Sequence, residues 1–263
     1  MGELMPDLVN PAVLVSTHGD IRILSINRPE RRNSLNLDDR RTLIDEITAA
    51  GADQSCRVII LTGEGKVFCA GGDISTMSSN EELARVRLAL ANELARSIVN
   101  SPKPIVAAVR GGAFGLGLAL AQACDFVVSA SDARYTASFA RLGLGPDTGL
   151  TWSLSRRVGE SKAKQLILLA REVEADEALS MGMVDEVVDP EAVLDSAIAL
   201  AGKLSRFSVP MMAATKRVFA EQVGDLDAVL EAEMESQVEL LGGADFAEGS
   251  SAFLEKRRAN FQA

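Results

Sequence analysis

Residues 104–125 read PIVAAVRGGAFGLGLALAQACD, and the fold turns on how this stretch is parsed. Ile105 to Val109 is a short, β-branched apolar run, the pattern of a strand buried on both faces. Four glycines, Gly111, Gly112, Gly115 and Gly117, follow within seven residues. Leu118, Leu120, Ala121 and Cys124 then share one apolar stripe, as on a packed helix. The local reading is strand, glycine turn, buried helix. The first turn of that helix leaves backbone N–H groups unpaired, and its dipole adds partial positive charge. Such a place holds a phosphate, or an oxygen that becomes negative during a reaction.

A similar corner precedes it. Val58–Thr62 reads as a buried strand leading into GEGKVFCAGGDIS at 63–75. Gly63, Gly65 and Lys66 look like part of a phosphate loop, but the second half of the nucleotide spacing is missing and no Ser or Thr follows the lysine. Gly71-Gly72-Asp73-Ile74 is either a tight turn or a second set of amides aimed at a ligand. Ahead of these, Ala12–Thr17 and Ile21–Asn27 alternate as two strands around a His18-Gly19-Asp20 turn, with residues 1–11 a loose lead-in. Arg31, Arg32, Asn33 and Ser34 form a polar loop before a helix near 37–50, read equally as a solvated turn or a phosphate contact.

Downstream, residues 80–99 carry a helical stripe of Leu83, Val86, Leu90, Leu94 and Ile98, stopped by Pro102 and Pro104. Phe126–Ala130 and Val184–Val188 read as strands, with helical patterns over most of 160–182. Asp147 lies in the turn Pro146-Asp147-Thr148-Gly149 before a helix, where an aspartate is ordinarily an N-cap. Lodged instead among Leu142, Leu144, Leu150 and Trp152, it is a candidate base. From Ala192 to Phe261 the pattern is helical, with breaks near Ser208-Val209-Pro210, Gly224 and Gly242-Gly243.

The bulk properties narrow the functional classes. In 263 residues, 47% hydrophobic content supports a large core, filled mostly by aliphatic side chains because only 4% is aromatic. The net charge of −10 argues against a general nucleic-acid binder but not against an anionic small ligand held by a few local cations. Cys56, Cys69 and Cys124 are isolated, which points to a reducing, cytoplasmic setting without disulfides. No spacing suggests a metal site, no leader pattern opens the chain, and no apolar run is long enough to span a bilayer. His18 is the single histidine and sits in a turn, so Ser-His-Asp and Cys-His mechanisms lack a base.

Taken together, NRPERRNSLN at 27–36, KVFCAGGDI at 66–74, VRGGAFGLGLALAQACD at 109–125, LGLGPDTG at 142–149, EALSMGMVDEVV at 177–188 and FLEKRRANF at 253–261 resemble the crotonase superfamily, the enoyl-CoA hydratase/isomerase family. The resemblance covers nearly the whole chain. It implies an α/β fold, a crotonase-like spiral of ββα units over 1–195, with a helical oligomerisation region over 196–263 that builds homotrimers or hexamers. It implies an acyl-CoA substrate, with no cofactor beyond its CoA moiety. By motif position, the backbone N–H groups of Gly72 and Leu116 become the oxyanion-hole donors. Ala70, Asp73 and Ile74, which flank the first donor, would contact the substrate or its CoA. Arg31 or Arg32 would meet the CoA phosphates, and Phe253 and Lys256 of the C-terminal helix the CoA of a neighbouring subunit; ordinary packing and solvation are the alternatives for the last two. Met77, Leu83, Phe139 and Trp152 are candidates to line the acyl group, each also plausible as core.

The two glutamates of hydratases in this family fall at Ala119 and Phe139, which carry no protons. Asp147 resembles the acid/base carboxylate of enoyl-CoA isomerases, and the text FARLGLGPDTGLTW is close to the epoxyphenylacetyl-CoA isomerases. The expectation is therefore a double-bond shift, with hydration by another proton carrier, or acyl-CoA binding without catalysis, as alternatives.

Overall fold

A computed structural model describes residues 11–221 and 226–261. Apart from Pro11, the expected lead-in lies outside the described residues, as does the break at Gly224. The chain opens with β1 (Val13–His18), β2 (Ile21–Ile26), α1 (Leu37–Ala52), β3 (Val58–Gly63) and α2 (Glu81–Val99). There follow β4 (Ile105–Val109), β5 (Gly112–Phe114), α3 (Leu116–Ala123), β6 (Phe126–Ala130) and β7 (Arg134–Thr136). Then come α4 (Leu150–Val158), α5 (Glu160–Leu168), β8 (Glu172–Glu174), α6 (Ala175–Ser180) and β9 (Glu186–Val188). Helices α7 (Val193–Leu204), α8 (Val209–Glu221), α9 (Leu226–Leu241) and α10 (Ala244–Leu254) finish it. Two strands and a helix recur as a unit in β1-β2-α1, β4-β5-α3 and β6-β7-α4.

The larger sheet runs β1-β2-β3-β4-β6-β9, antiparallel only between β1 and β2. Helices on its faces leave the central parallel strands no solvent side, which is why β3 and β4 read as unbroken apolar runs and are buried at every residue. A smaller sheet, β5-β7-β8, stands apart from it. Its three strands are new relative to the sequence reading, because three residues show no period and β5 lies inside the glycine turn.

Helix α1 starts at a reciprocal capping box between Asn36 and Asp39, worth about 1 kcal/mol. The stripe expected along α2 divides. Leu90, Leu94 and Ile98 are buried, whereas Leu83 and Val86 at its N-terminal half are exposed. The division anticipated at residue 195 falls inside α7, whose Val193, Ala197 and Ala201 are fully buried in the same core cluster as the strands. Beyond α7, breaks near Ser208–Pro210 and Gly242-Gly243 separate α8, α9 and α10 as the sequence indicated.

The two glycine corners are built against each other. Phe114 N–H donates to the Cys69 carbonyl at 3.0 Å and Cys69 N–H to the Gly112 carbonyl at 3.4 Å. Gly115, immediately before α3, has φ +51° and ψ −114°, a conformation that excludes a side chain. Gly117 packs its Cα face on Cys69, so that an added Cβ would lie 2.8 Å from the Cys69 Cβ and closer still to the carbonyl oxygen. Bare backbone at this position is what lets helix α3 dock its first turn onto residue 69.

Candidate active site

Gly72 is flanked by hydrogen bonds that face away from it. Leu35 N–H donates to the Gly71 carbonyl (2.9 Å) and Asp73 N–H to the Leu35 carbonyl (3.0 Å). These bonds turn the Gly71 carbonyl and the Asp73 N–H toward Leu35, and the Gly72 N–H, trans to that carbonyl across the peptide plane, points the opposite way. It has no acceptor among the described residues. On the facing corner, Gly115 N–H donates to the Thr136 carbonyl, and Leu116 opens α3 with its own N–H unbonded. A Cβ on Gly71 would be 3.8 Å from the Leu116 nitrogen, so the two free amides border one space. The sequence flagged both corners separately; the Cys69–Ala113 bridge brings them together.

Asp147 does not cap α4. The N-cap is Gly149, with no side-chain cap, and Asp147 contributes only its carbonyl, which accepts from Leu150 N–H at 3.1 Å. Thr148 (φ +54°) and Gly149 (φ +70°) are both left-handed, and Thr148 is β-branched and buried, an unusual conformation that fixes the direction of the preceding side chain. One described side-chain bond reaches the carboxylate, from Thr148 Oγ1 to Oδ1 at 2.9 Å, leaving Oδ2 without a described partner. The surroundings differ from those expected. Leu142 and Leu144 are each 49% exposed and do not enclose Asp147. The charges that act on it belong to Arg40 and Arg87.

These two arginines are what the sequence reading missed. Arg40 lies on the core stripe of α1, three residues before Leu43 and four before Ile44, and is buried. A basic residue on an apolar stripe was the available signal. Burial, with Arg87 nearby, lowers its pKa to about 10, so it remains a cation at neutral pH. Arg87 comes from α2 and is half-buried, with Nη1 donating to Thr76 Oγ1 at 3.2 Å. A Cβ built on Gly72 would lie 2.7 Å from Nη2 of each arginine. Residues 40, 72, 87 and 147 thus form one cluster.

Asp73, also buried, is committed elsewhere. Its Oδ1 accepts from Ser75 N–H and Ser75 Oγ, and its Oδ2 pairs with Arg31 at 3.2 Å. The Ser75 bonds, with Arg31 and Arg87, hold its pKa below the usual carboxylate value. Arg31 and Arg32 are exposed beside this corner, and the Arg32 carbonyl accepts from Ala70 N–H. Asn33 is no surface contact: it is fully buried and braces the loop by donating to the Glu64 and Val67 carbonyls. Phe139 is buried, its Cζ 4.0 Å from a Cβ placed on Gly115, and Ala119 is wholly buried in α3. Ile74, Met77 and Leu83 lie on the exposed side.

Trp152, Phe253 and Lys256 have no described hydrogen bond or ion pair with the cluster, although Trp152 lines a cavity together with Thr148 and Gly149. Trp152 stacks on Arg156 at 3.8 Å and lines a separate cavity of about 710 Å³ with Gln122, Asp125, Arg157 and Lys216. Charges lining that cavity are satisfied by one another: Lys216 pairs with Asp125, and Arg157 with Asp185. Phe253 is 83% exposed in the last turn of α10. Lys256 follows that helix rather than lying in it, with φ +56°. Cys69 beneath the corner is buried, which pushes its thiol up to about 12. Among the described residues no cluster has the makings of a metal site, and no helix is long and apolar enough to cross a membrane.

The family model described as enoyl-CoA hydratase/isomerase matches residues 16–263. The chain belongs to the enoyl-CoA hydratase/isomerase family. It is 36% identical to the crotonyl-CoA hydratase of Syntrophomonas wolfei, across 95% of this chain and 97% of that one. It is 34% identical to the 1,2-epoxyphenylacetyl-CoA isomerase of Escherichia coli, again across 95% and 97%. Among solved structures, an enoyl-CoA hydratase from Polaromonas sp. JS666 superposes with a TM-score of 0.90 at 32% identity, covering 94% of this chain and 98% of that one. Relatives in the enoyl-CoA hydratase/isomerase family thus carry both activities in their names at similar identity, and the mixed α/β spiral is the family fold.

Proposed function

We propose that this protein is an acyl-CoA isomerase that moves a C=C bond from C3 to C2 of an enoyl thioester, with Asp147 carrying the proton. The Gly72 and Leu116 amides receive the thioester oxygen. Asp147 takes a proton from C2, and the electron pair moves onto the oxygen as a dienolate. Return of the proton to C4 leaves the double bond between C2 and C3, so nothing is gained or lost. Each main-chain donor contributes about 3–4 kcal/mol to such an anion. The supporting observation is that Asp147 has an uncommitted carboxylate oxygen in the Gly72 cluster, whereas Asp73 is fully bonded.

Hydration is the competing reading, favoured by the name of the Syntrophomonas relative. It asks for one group to activate water and another to deliver a proton, and Ala119 and Phe139 supply neither. We also propose the remaining family traits for this chain: CoA phosphates near Arg31 and Arg32, no cofactor beyond CoA, and assembly as a homotrimer or hexamer. The deciding experiment offers the purified protein 3-hexenoyl-CoA and crotonyl-CoA. Formation of 2-trans-hexenoyl-CoA, with slow or absent hydration of crotonyl-CoA, is expected. Rapid hydration with no bond shift overturns the proposal. Absence of both, with retained thioester binding and no exchange of the C2 proton into heavy water, indicates a binding protein.

A further inference from the structure

We infer that Arg40 and Arg87 form a receptor for a carboxylate, so that the preferred thioester carries a second acid group on its acyl chain. The inference rests on the acyl-CoA reading and names its substrate class. Arg40 is 1% exposed, and its Nε and Nη1 are buried without any hydrogen-bond partner. A buried guanidinium with unsatisfied donors is among the costlier things a core can hold. A leucine or methionine would continue the Leu43–Ile44–Ile47 stripe without that cost. Nε and Nη1 are enclosed, so the donor through which a ligand would meet this guanidinium is Nη2, the nitrogen that faces Gly72.

Arg87 approaches the same point from another helix. An Nη2 from each arginine converges on the Cα face of Gly72. The surrounding charges do not cancel them. Asp147 attracts both arginines, and Asp73 attracts Arg87 but is already paired with Arg31. Cys69 is a neutral thiol there. Three arginines face two aspartates, leaving one positive charge over. One ligand carboxylate neutralises the cluster.

The side on which the cations lie identifies which part of the ligand they meet. With the thioester oxygen at the Gly72 and Leu116 amides, the reacting carbons lie toward Asp147. Arg40 and Arg87 are the cations that feel Asp147, so they face the acyl chain, and the CoA phosphates lie beyond the opposite end of the pantetheine arm. The two Nη2 groups, one from each arginine, can each donate to one oxygen of a carboxylate.

The test uses two inert saturated thioesters of equal chain length, adipoyl-CoA and hexanoyl-CoA, titrated into the full-length protein by calorimetry. Adipoyl-CoA should bind about 10- to 100-fold more tightly. In Arg87→Gln the ratio should fall to within about threefold, with Arg87→Lys retaining part of the preference. Arg40→Met should have the same effect if its melting curve shows it folded; if it does not fold, the Arg87 pair decides. Equal affinity for the two thioesters, or a preference unchanged in Arg87→Gln, overturns the carboxylate receptor while leaving the acyl-CoA reading intact. Failure of both thioesters to bind overturns the acyl-CoA reading, and this inference with it.

Discussion

Asp147 is set apart from the other acidic side chains near the glycine corners by what it does not do. It caps no helix, and among the described residues only Thr148 hydrogen-bonds to its carboxylate. Asp73, a few residues from Gly71, has spent its lone pairs on Ser75 and Arg31. Replacing Asp147 by Asn keeps the volume and the acceptor for Thr148 but removes the ability to carry a proton. Turnover of a 3-enoyl-CoA by Asp147→Asn should fall about 10²- to 10⁴-fold in kcat with little change in KM. Undiminished turnover removes Asp147 from the mechanism. Cys69 invites the opposite expectation. It sits directly under the donors but is fully buried, and its thiol is pushed up to about 12. Alkylation of the native protein by iodoacetamide should therefore leave turnover intact, and mass spectrometry should find Cys69 unmodified until denaturant is added.

The element that matters most is the pair of glycine corners, and its weak point is where α3 meets residue 69. A methyl group at Gly117 would collide with the Cys69 carbonyl and Cβ, both held by neighbouring hydrogen bonds. Gly117→Ala should cost about 1–3 kcal/mol in urea unfolding and separate the Gly72 and Leu116 amides, lowering kcat as well. Gly202, inside α7, provides the contrast: no atom lies within 4 Å of an added Cβ. Gly202→Ala should raise stability by roughly 0.5–1 kcal/mol without touching turnover. Equal effects of the two substitutions would refute the steric argument. The same corners were legible in sequence because glycine spacing, an apolar strand and an apolar helix lie next to one another along the chain. The six strands of the larger sheet were legible for the same reason. What escaped was non-local. Strands β5, β7 and β8 are too short to show a period, and Arg40 and Arg87 meet only because α1 and α2 pack side by side. Trp152 is placed by α4 beside Arg156, along cavities that it lines with Gln122 and Asp125 on one side and with Thr148 and Gly149 on the other.

At the scale of the whole molecule, part of the apolar surface left uncovered falls in rows along helices. Along α9, Leu230, Met234, Val238 and Leu241 form one stripe, and each is at least half exposed. Phe246, Phe253 and Leu254 are exposed on α10, and Leu83 and Val86 on α2. The homotrimer or hexamer proposed above would cover rows of this kind. Phe253 is 83% exposed at the end of α10 with Lys256 just beyond it, so a neighbouring subunit in the proposed assembly would have both within reach. Sedimentation should give a species at least three times the 27.9 kDa chain mass. The double substitution Met234→Glu, Val238→Glu places two charges in the α9 stripe and should shift the population toward monomer without unfolding it. If the neighbouring subunit completes the CoA site, the same variant should lose affinity for an acyl-CoA although its Gly72, Leu116 and Asp147 are untouched. A wild-type chain that sediments as a monomer removes the assembly altogether. A dissociated variant with undiminished thioester affinity keeps the assembly but confines the whole site to one subunit.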